Sequence, residues 1–74
     1  MKVKVTLDSS GRRGKKVSVV SGITHNPQVI EKLTNNLKRA CGAGGTIKGK
    51  TIEIQGDHVA KIKKHLENDG YTVI

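Results

Sequence analysis

The sequence contains no tryptophan and no phenylalanine, and Tyr71 is its only aromatic residue. Proteins that grip bare single strands of nucleic acid stack successive bases on several rings. That platform is excluded here. A lone cysteine, Cys41, cannot close an internal disulfide, which fits a reducing compartment. The opening residues Met1-Lys2-Val3-Lys4 hold no apolar signal core, and no run nears the ~20 apolar residues of a membrane span. A cytoplasmic protein without membrane contact is expected. Acidic residues number only 6 and are scattered, so no pair of buried carboxylates and no Ser/His/Asp order can be argued. His25, His58 and His65 are too widely spaced for a metal site, with Cys41 the only thiol beside them. The residues point to no enzyme, no metal and no cofactor.

What the chain does have is positive charge. Fourteen Lys and Arg face those 6 acids, for a net charge of +8 and a pI near 10.0. Such an excess repels itself in the folded state, so a polyanionic partner is the economical explanation. Residues 1–50 hold all the basic groups except Lys61, Lys63 and Lys64, against Asp8 and Glu31 only. The other four acids lie among residues 51–74, where they outnumber those three lysines. The positive field therefore belongs to the first two-thirds of the chain. With 74 residues, positions 1–74 are expected to form one domain with a thin core and little room for a deep cavity.

Val3, Val5 and Leu7 alternate with Lys2, Lys4 and Thr6, the period of a half-buried strand. Residues 17–21 read as a second strand, after a long loop without apolar residues. Asn26-Pro27 opens a helix, with Asn as N-cap and Pro in the first turn. Val29, Ile30, Leu33, Leu37, Ala40 and Cys41 form its apolar stripe, and Gly42 ends it. Thr46–Lys48 and Thr51–Gln55 read as a hairpin turning at Gly49. Gly56 breaks the strand and Asp57 is placed to cap a second helix, in which Val59, Ile62 and Leu66 face inward. Tyr71–Ile74 reads as a last short strand. The expectation is an α+β two-layer sandwich of order β-β-α-β-β-α-β. Its one mostly antiparallel sheet would carry both helices on one face and leave the Lys2, Lys4 and Thr6 face polar and open.

Two clusters qualify as nucleic-acid contacts. Gly11, Arg12, Arg13, Gly14, Lys15 and Lys16 place four cations on a glycine-flanked loop, where they repel one another unless phosphate neutralises them. Lys32, Asn35, Asn36 and Arg39 share the polar face of the first helix at i, i+3, i+4 and i+7. Lys61, Lys63 and Lys64 lie among acids and read as a solvated face. Gln55-Gly56-Asp57 reads as structural, and Cys41 as a buried small hydrophobe. Gly44 to Thr51 matches the phosphate-loop pattern G-x-x-x-x-G-K-[ST]. That pattern needs a strand before it and a helix after it, whereas this segment follows a helix and runs into Ile52-Glu53-Ile54. It reads as a chance match, and a nucleotide hydrolase is disfavoured with it.

Three stretches resemble one family. Ser10-Gly11-Arg12-Arg13-Gly14-Lys15-Lys16-Val17 is similar to its basic loop, and Leu37 to Thr46 to its helix end with a Gly-Gly-Thr turn. Ile52-Glu53-Ile54-Gln55-Gly56-Asp57 resembles its strand ending in Gln-Gly-Asp. The family is the eukaryotic initiation factor one family, or SUI-one, and the short loops and Gly-Tyr-Thr-Val ending look most like its bacterial stand-alone YciH-type members. The sequence gives no sign of oligomerisation, so a monomer is expected; the resemblance implies a translation initiation factor that binds small-subunit ribosomal RNA near the P site. It implies an influence on start-codon and initiator-tRNA discrimination, with initiator tRNA and mRNA as further partners. Carried over, the ribosome-facing parts are Gly11 to Lys16 and the polar face of the first helix. The part that approaches initiator tRNA is Lys48-Gly49-Lys50, a shorter turn here than in the family. The family's usual N-terminal tail has no counterpart. The alternative is a general RNA-binding stress or translation-inhibiting protein with the same patch and no unique ribosomal site.

Overall fold

The computed structural model describes residues 2–9 and 16–74. In chain order they form β1 (Lys2–Asp8), β2 (Val17–Ser21), α1 (Pro27–Cys41), β3 (Gly45–Lys48), β4 (Thr51–Gln55), α2 (Val59–Asn68) and β5 (Thr72–Val73). This is the expected order.

The strands lie in one sheet in the order β3-β4-β2-β1-β5. Three neighbouring pairs are antiparallel, and β1 with β5 is parallel. The exception follows from the route of the chain. Strands β4 and β5 run the same way, and two parallel strands require a crossover, which α2 supplies. Lying over β1 and β5 while α1 lies over β3 and β4, the helices share one side of the sheet.

Alternation along the strands sets that side. Val3 and Val5 of β1, Val20 of β2, and Ile52 and Ile54 of β4 are buried against Ile30, Leu33 and Leu37 of α1 and Ile62 and Leu66 of α2. Val59 and Cys41 are half-buried at the margin of this core rather than within it. The other face carries Lys2, Lys4 and Thr6, all exposed, as the alternation predicts.

Helix α1 begins and ends as its sequence dictates. The Asn26 side chain accepts a hydrogen bond from the Val29 amide at 2.9 Å, Pro27 sits in the first turn, and Gly42 closes the helix at φ 62°. Thr34, buried within it, donates its hydroxyl to the Ile30 carbonyl at 2.7 Å and so leaves no polar group unpaired.

Helix α2 begins differently from expectation. Its N-cap is His58, with no side-chain cap bond, and Asp57 is exposed one residue too early to reach the free amides. Ser18 of β2 acts there instead. Its hydroxyl accepts from the His58 amide at 2.9 Å and donates to the Gly56 carbonyl at 2.7 Å. Gly56 does take the expected left-handed turn, at φ 94°.

Gly44 to Thr51 is a hairpin. Strand β3 turns at Gly49, φ 60°, directly into β4, so a strand stands where a phosphate loop needs a helix. Among the described residues no helix is long and apolar enough to cross a membrane.

Candidate nucleic-acid interface

Strand β4 serves as a ruler for the basic side chains. At its Gln55 end, the Gln55 amide donates to the Gly44 carbonyl at 2.9 Å and the Gly56 amide donates to the Lys16 carbonyl at 2.7 Å. The start of β2, the end of α1 and the start of α2 therefore meet at one end of the molecule. Asp8 pairs with Val17 across the sheet, so the described flanks of the basic loop lie here too. Gly11, Arg12, Arg13, Gly14 and Lys15 themselves are outside the described residues.

Lys16 is exposed at this end. Lys38 is half-buried, and its stem runs over Gly45: a Cβ built on that glycine would stand 3.1 Å from the Lys38 Cγ. Gly45 thus lets the end of α1 settle on the sheet, which leaves the next residue, Arg39, exposed. Lys61, in the first turn of α2, is exposed and lies within electrostatic reach of Cys41 at the end of α1. Burial raises the Cys41 thiol pKa, and the positive charge of nearby Lys61 partly opposes that rise. Sequence reasoning assigned Lys61 to a solvated face with its acidic neighbours in the chain. Only the packing of α2 beside the end of α1 brings it here, and no local pattern announces that.

Lys32, Asn35 and Arg39 are exposed along α1, with Asn36 half-buried between them. They form the face opposite Ile30, Leu33, Thr34 and Leu37, which are buried toward the sheet and α2. Of this stripe, Arg39 lies nearest the end of α1 that meets the start of β2.

Lys48 and Lys50 fall elsewhere. They flank Gly49 at the β3–β4 turn, and Lys50 is six residues before Gly56, which is roughly 20 Å at the rise of an extended strand. Both are exposed. Lys48 approaches Glu53 at 3.7 Å, but its side chain keeps 63% exposure, so the pair contributes little to stability. Of the expected contact residues that are described, Lys16 lies at one end, Lys48 and Lys50 at the other, and Lys32, Asn35, Asn36 and Arg39 along α1.

One contact has no precursor in the sequence reading. His25 and the Tyr71 hydroxyl lie 2.9 Å apart, with the rings edge to face at 5.7 Å and 75°. They tie the approach to α1 to the segment between α2 and β5. Beside them is a shallow hollow of about 240 Å³ lined by Val29, Lys32, Leu33, Asn36, Asp69 and Tyr71. The Tyr71 pKa is raised, by burial first and by the charge of Asp69 second.

Comparison with known proteins places this geometry in context. The family model for translation initiation factor SUI1 matches residues 1–72. A protein translation factor SUI1 homolog of Thermoplasma volcanium is 43% identical over 72 residues, covering 96% of this chain and 71% of the relative. The uncharacterized protein YciH of Salmonella typhimurium is 44% identical over 71 residues, covering 96% and 66%. An uncharacterized protein of Haemophilus influenzae is 39% identical over 71 residues, covering 96% and 67%. The chain spans about two thirds of the length of the curated relatives it matches.

Proposed function

The chain belongs to the translation initiation factor SUI1 family, and on that premise we propose that it docks on the small ribosomal subunit near the P site. There it biases the choice of start codon and initiator tRNA. The observation that supports this reading is that the end of α1, where Arg39 is exposed, meets the start of β2, where Lys16 is exposed.

The physical logic is electrostatic. Cations on one rigid face release counterions when they meet phosphate, and this supplies affinity without reading sequence. Specificity then comes from the shape of the folded RNA, since the chain has no platform of rings for bare strands. Arg12, Arg13 and Lys15, which precede Lys16 in the sequence and lie outside the described residues, are assigned to the same anchor on their charge. The turn at Lys48 and Lys50, at the far end, is free to approach initiator tRNA while the anchor holds ribosomal RNA. A domain seated in this way acts by occupying space, disfavouring complexes with a wrong codon or a wrong tRNA. It needs no bond-making chemistry.

Co-sedimentation with purified small and large subunits over a salt series tests the reading. Saturable binding to the small subunit alone is the expected result. Equal binding to both subunits, to tRNA and to random duplexes would replace it with the general RNA-binding alternative.

A further inference from the structure

The chain has a single aromatic side chain, and it lines the hollow between α1 and the segment leading to β5. We infer that this hollow receives one unpaired nucleobase of the RNA that α1 contacts. The inference rests on the proposed function, because Lys32 and Asn36 belong both to the hollow and to the RNA-facing stripe.

The chemistry around the hollow is that of a nucleotide site. Tyr71, Val29 and Leu33 supply an apolar wall, and Val29 remains 39% exposed although it is a large hydrophobic residue in the first turn of a helix. Such a residue beside a lysine and the only aromatic ring is the arrangement a flat, partly apolar ligand covers. The Tyr71 ring meets the His25 ring edge to face and its hydroxyl lies 2.9 Å from His25 Nε2, so its orientation is restrained before a ligand arrives. Lys32, an exposed lining residue, supplies a cation for the phosphate of an inserted nucleotide.

Asn36 and Asp69 supply the polar edge. An amide both donates and accepts, and the Asp69 carboxylate, whose Oδ2 lies 3.4 Å from His65 Nε2, accepts through its other oxygen. A base with neighbouring ring and amino donors, as guanine has, suits that pair. Uracil, whose one ring donor is flanked by carbonyls, suits it least. At about 240 Å³ the hollow is smaller than the ~300–1,000 Å³ sites that enclose drug-sized ligands, and open enough to take a base that stays attached to its strand. One ring for one base is also consistent with the absence of a stacking platform.

The test titrates the isotope-labelled full chain with guanosine and uridine 5′-monophosphates, and with ribose 5-phosphate as a probe without a base. The expected result is resonance shifts centred on Lys32, Asn36, Asp69 and Tyr71, larger for the guanosine than for the uridine nucleotide, and lost in Tyr71→Leu. Shifts of equal size with ribose 5-phosphate, or none at the hollow, overturn the inference.

A second arm measures small-subunit affinity for Asn36→Ala and Tyr71→Leu, each checked for folding by its dispersed spectrum. Loss of a base contact weakens binding about tenfold with the salt slope unchanged, because no phosphate contact is removed. If affinity falls while nucleotides leave the hollow unmoved, the surface meets ribosomal protein and the inference fails. If nucleotides bind but the chain does not sediment with the small subunit, the proposed function fails on its own account.

Discussion

The Ser18 hydroxyl stands between the Gly56 carbonyl and the His58 amide, at 2.7 and 2.9 Å, and joins β2 to the start of α2 across nearly forty residues of sequence. Ser18 is fully buried, and Gly56 and His58 are half-buried, so its hydroxyl has these two backbone groups as its partners in the interior. The same turn holds Lys16 through the Gly56 amide. The Gln-Gly-Asp turn thus fixes where the basic loop ends.

Ser18→Ala removes the bridge and leaves two polar groups poorly paired. A loss of about 1–3 kcal/mol in unfolding free energy is expected from chemical denaturation. RNA affinity should fall less than in a cation-removing variant, because every charge is kept.

Leu33→Ala empties a core position that is 6% exposed. The expected cost is about 2–5 kcal/mol. In a chain this small that is a large share of total stability, so thermal unfolding should begin near ambient temperature.

Gly45→Ala meets a packed wall. A Cβ there would lie 2.8 Å from the Ile54 Cδ1, 2.9 Å from the Glu53 carbonyl oxygen and 3.1 Å from the Lys38 Cγ. The carbonyl belongs to the neighbouring strand and cannot move away cheaply. Destabilisation of about 1–3 kcal/mol is expected. Gly42→Ala meets no atom within 4 Å, and its cost should come from the left-handed backbone alone.

Cys41 and Tyr71 give the alkaline limit. Burial raises both pKa values in the folded chain. Their neutral forms are therefore favoured by folding, and this stability is fully present below the unfolded pKa values. It is lost as pH rises through the folded ones. Melting temperature should fall through the alkaline range, and less steeply in Cys41→Ala and in Tyr71→Phe. Alkylation of Cys41 at neutral pH should be slow until the chain is unfolded.

How much of this was legible in the sequence depends on the distance between cause and effect. Helix α1 could be read almost whole, because Asn26, Pro27, the apolar stripe and Gly42 act within a few residues of one another. The strands could be read from their alternation, and the hairpin from Gly49. The cap of α2 could not. Asp57 has the right chemistry and lies close by, yet the group that acts is Ser18, brought there by strand pairing. The same holds for the interface. Lys16, Lys32 and Arg39 were visible as charges, but the meeting of the end of α1 with the start of β2, the separation of Lys48 and Lys50, and the proximity of Lys61 to Cys41 are products of topology. His25 and Tyr71 are 46 positions apart and had no local signal at all.

The measurement closest to the central claim compares charge reversals at the two ends of the molecule. Small-subunit affinity would be determined over a salt series for Lys16→Glu with Arg39→Glu, and separately for Lys48→Glu with Lys50→Glu, in the absence of tRNA. The account predicts that the first pair loses most of the binding and flattens the salt slope by about one for each phosphate contact removed. The second pair should bind nearly as the unaltered chain does. Equal losses from both pairs would mean a diffuse field with no docking face, and would contradict the account.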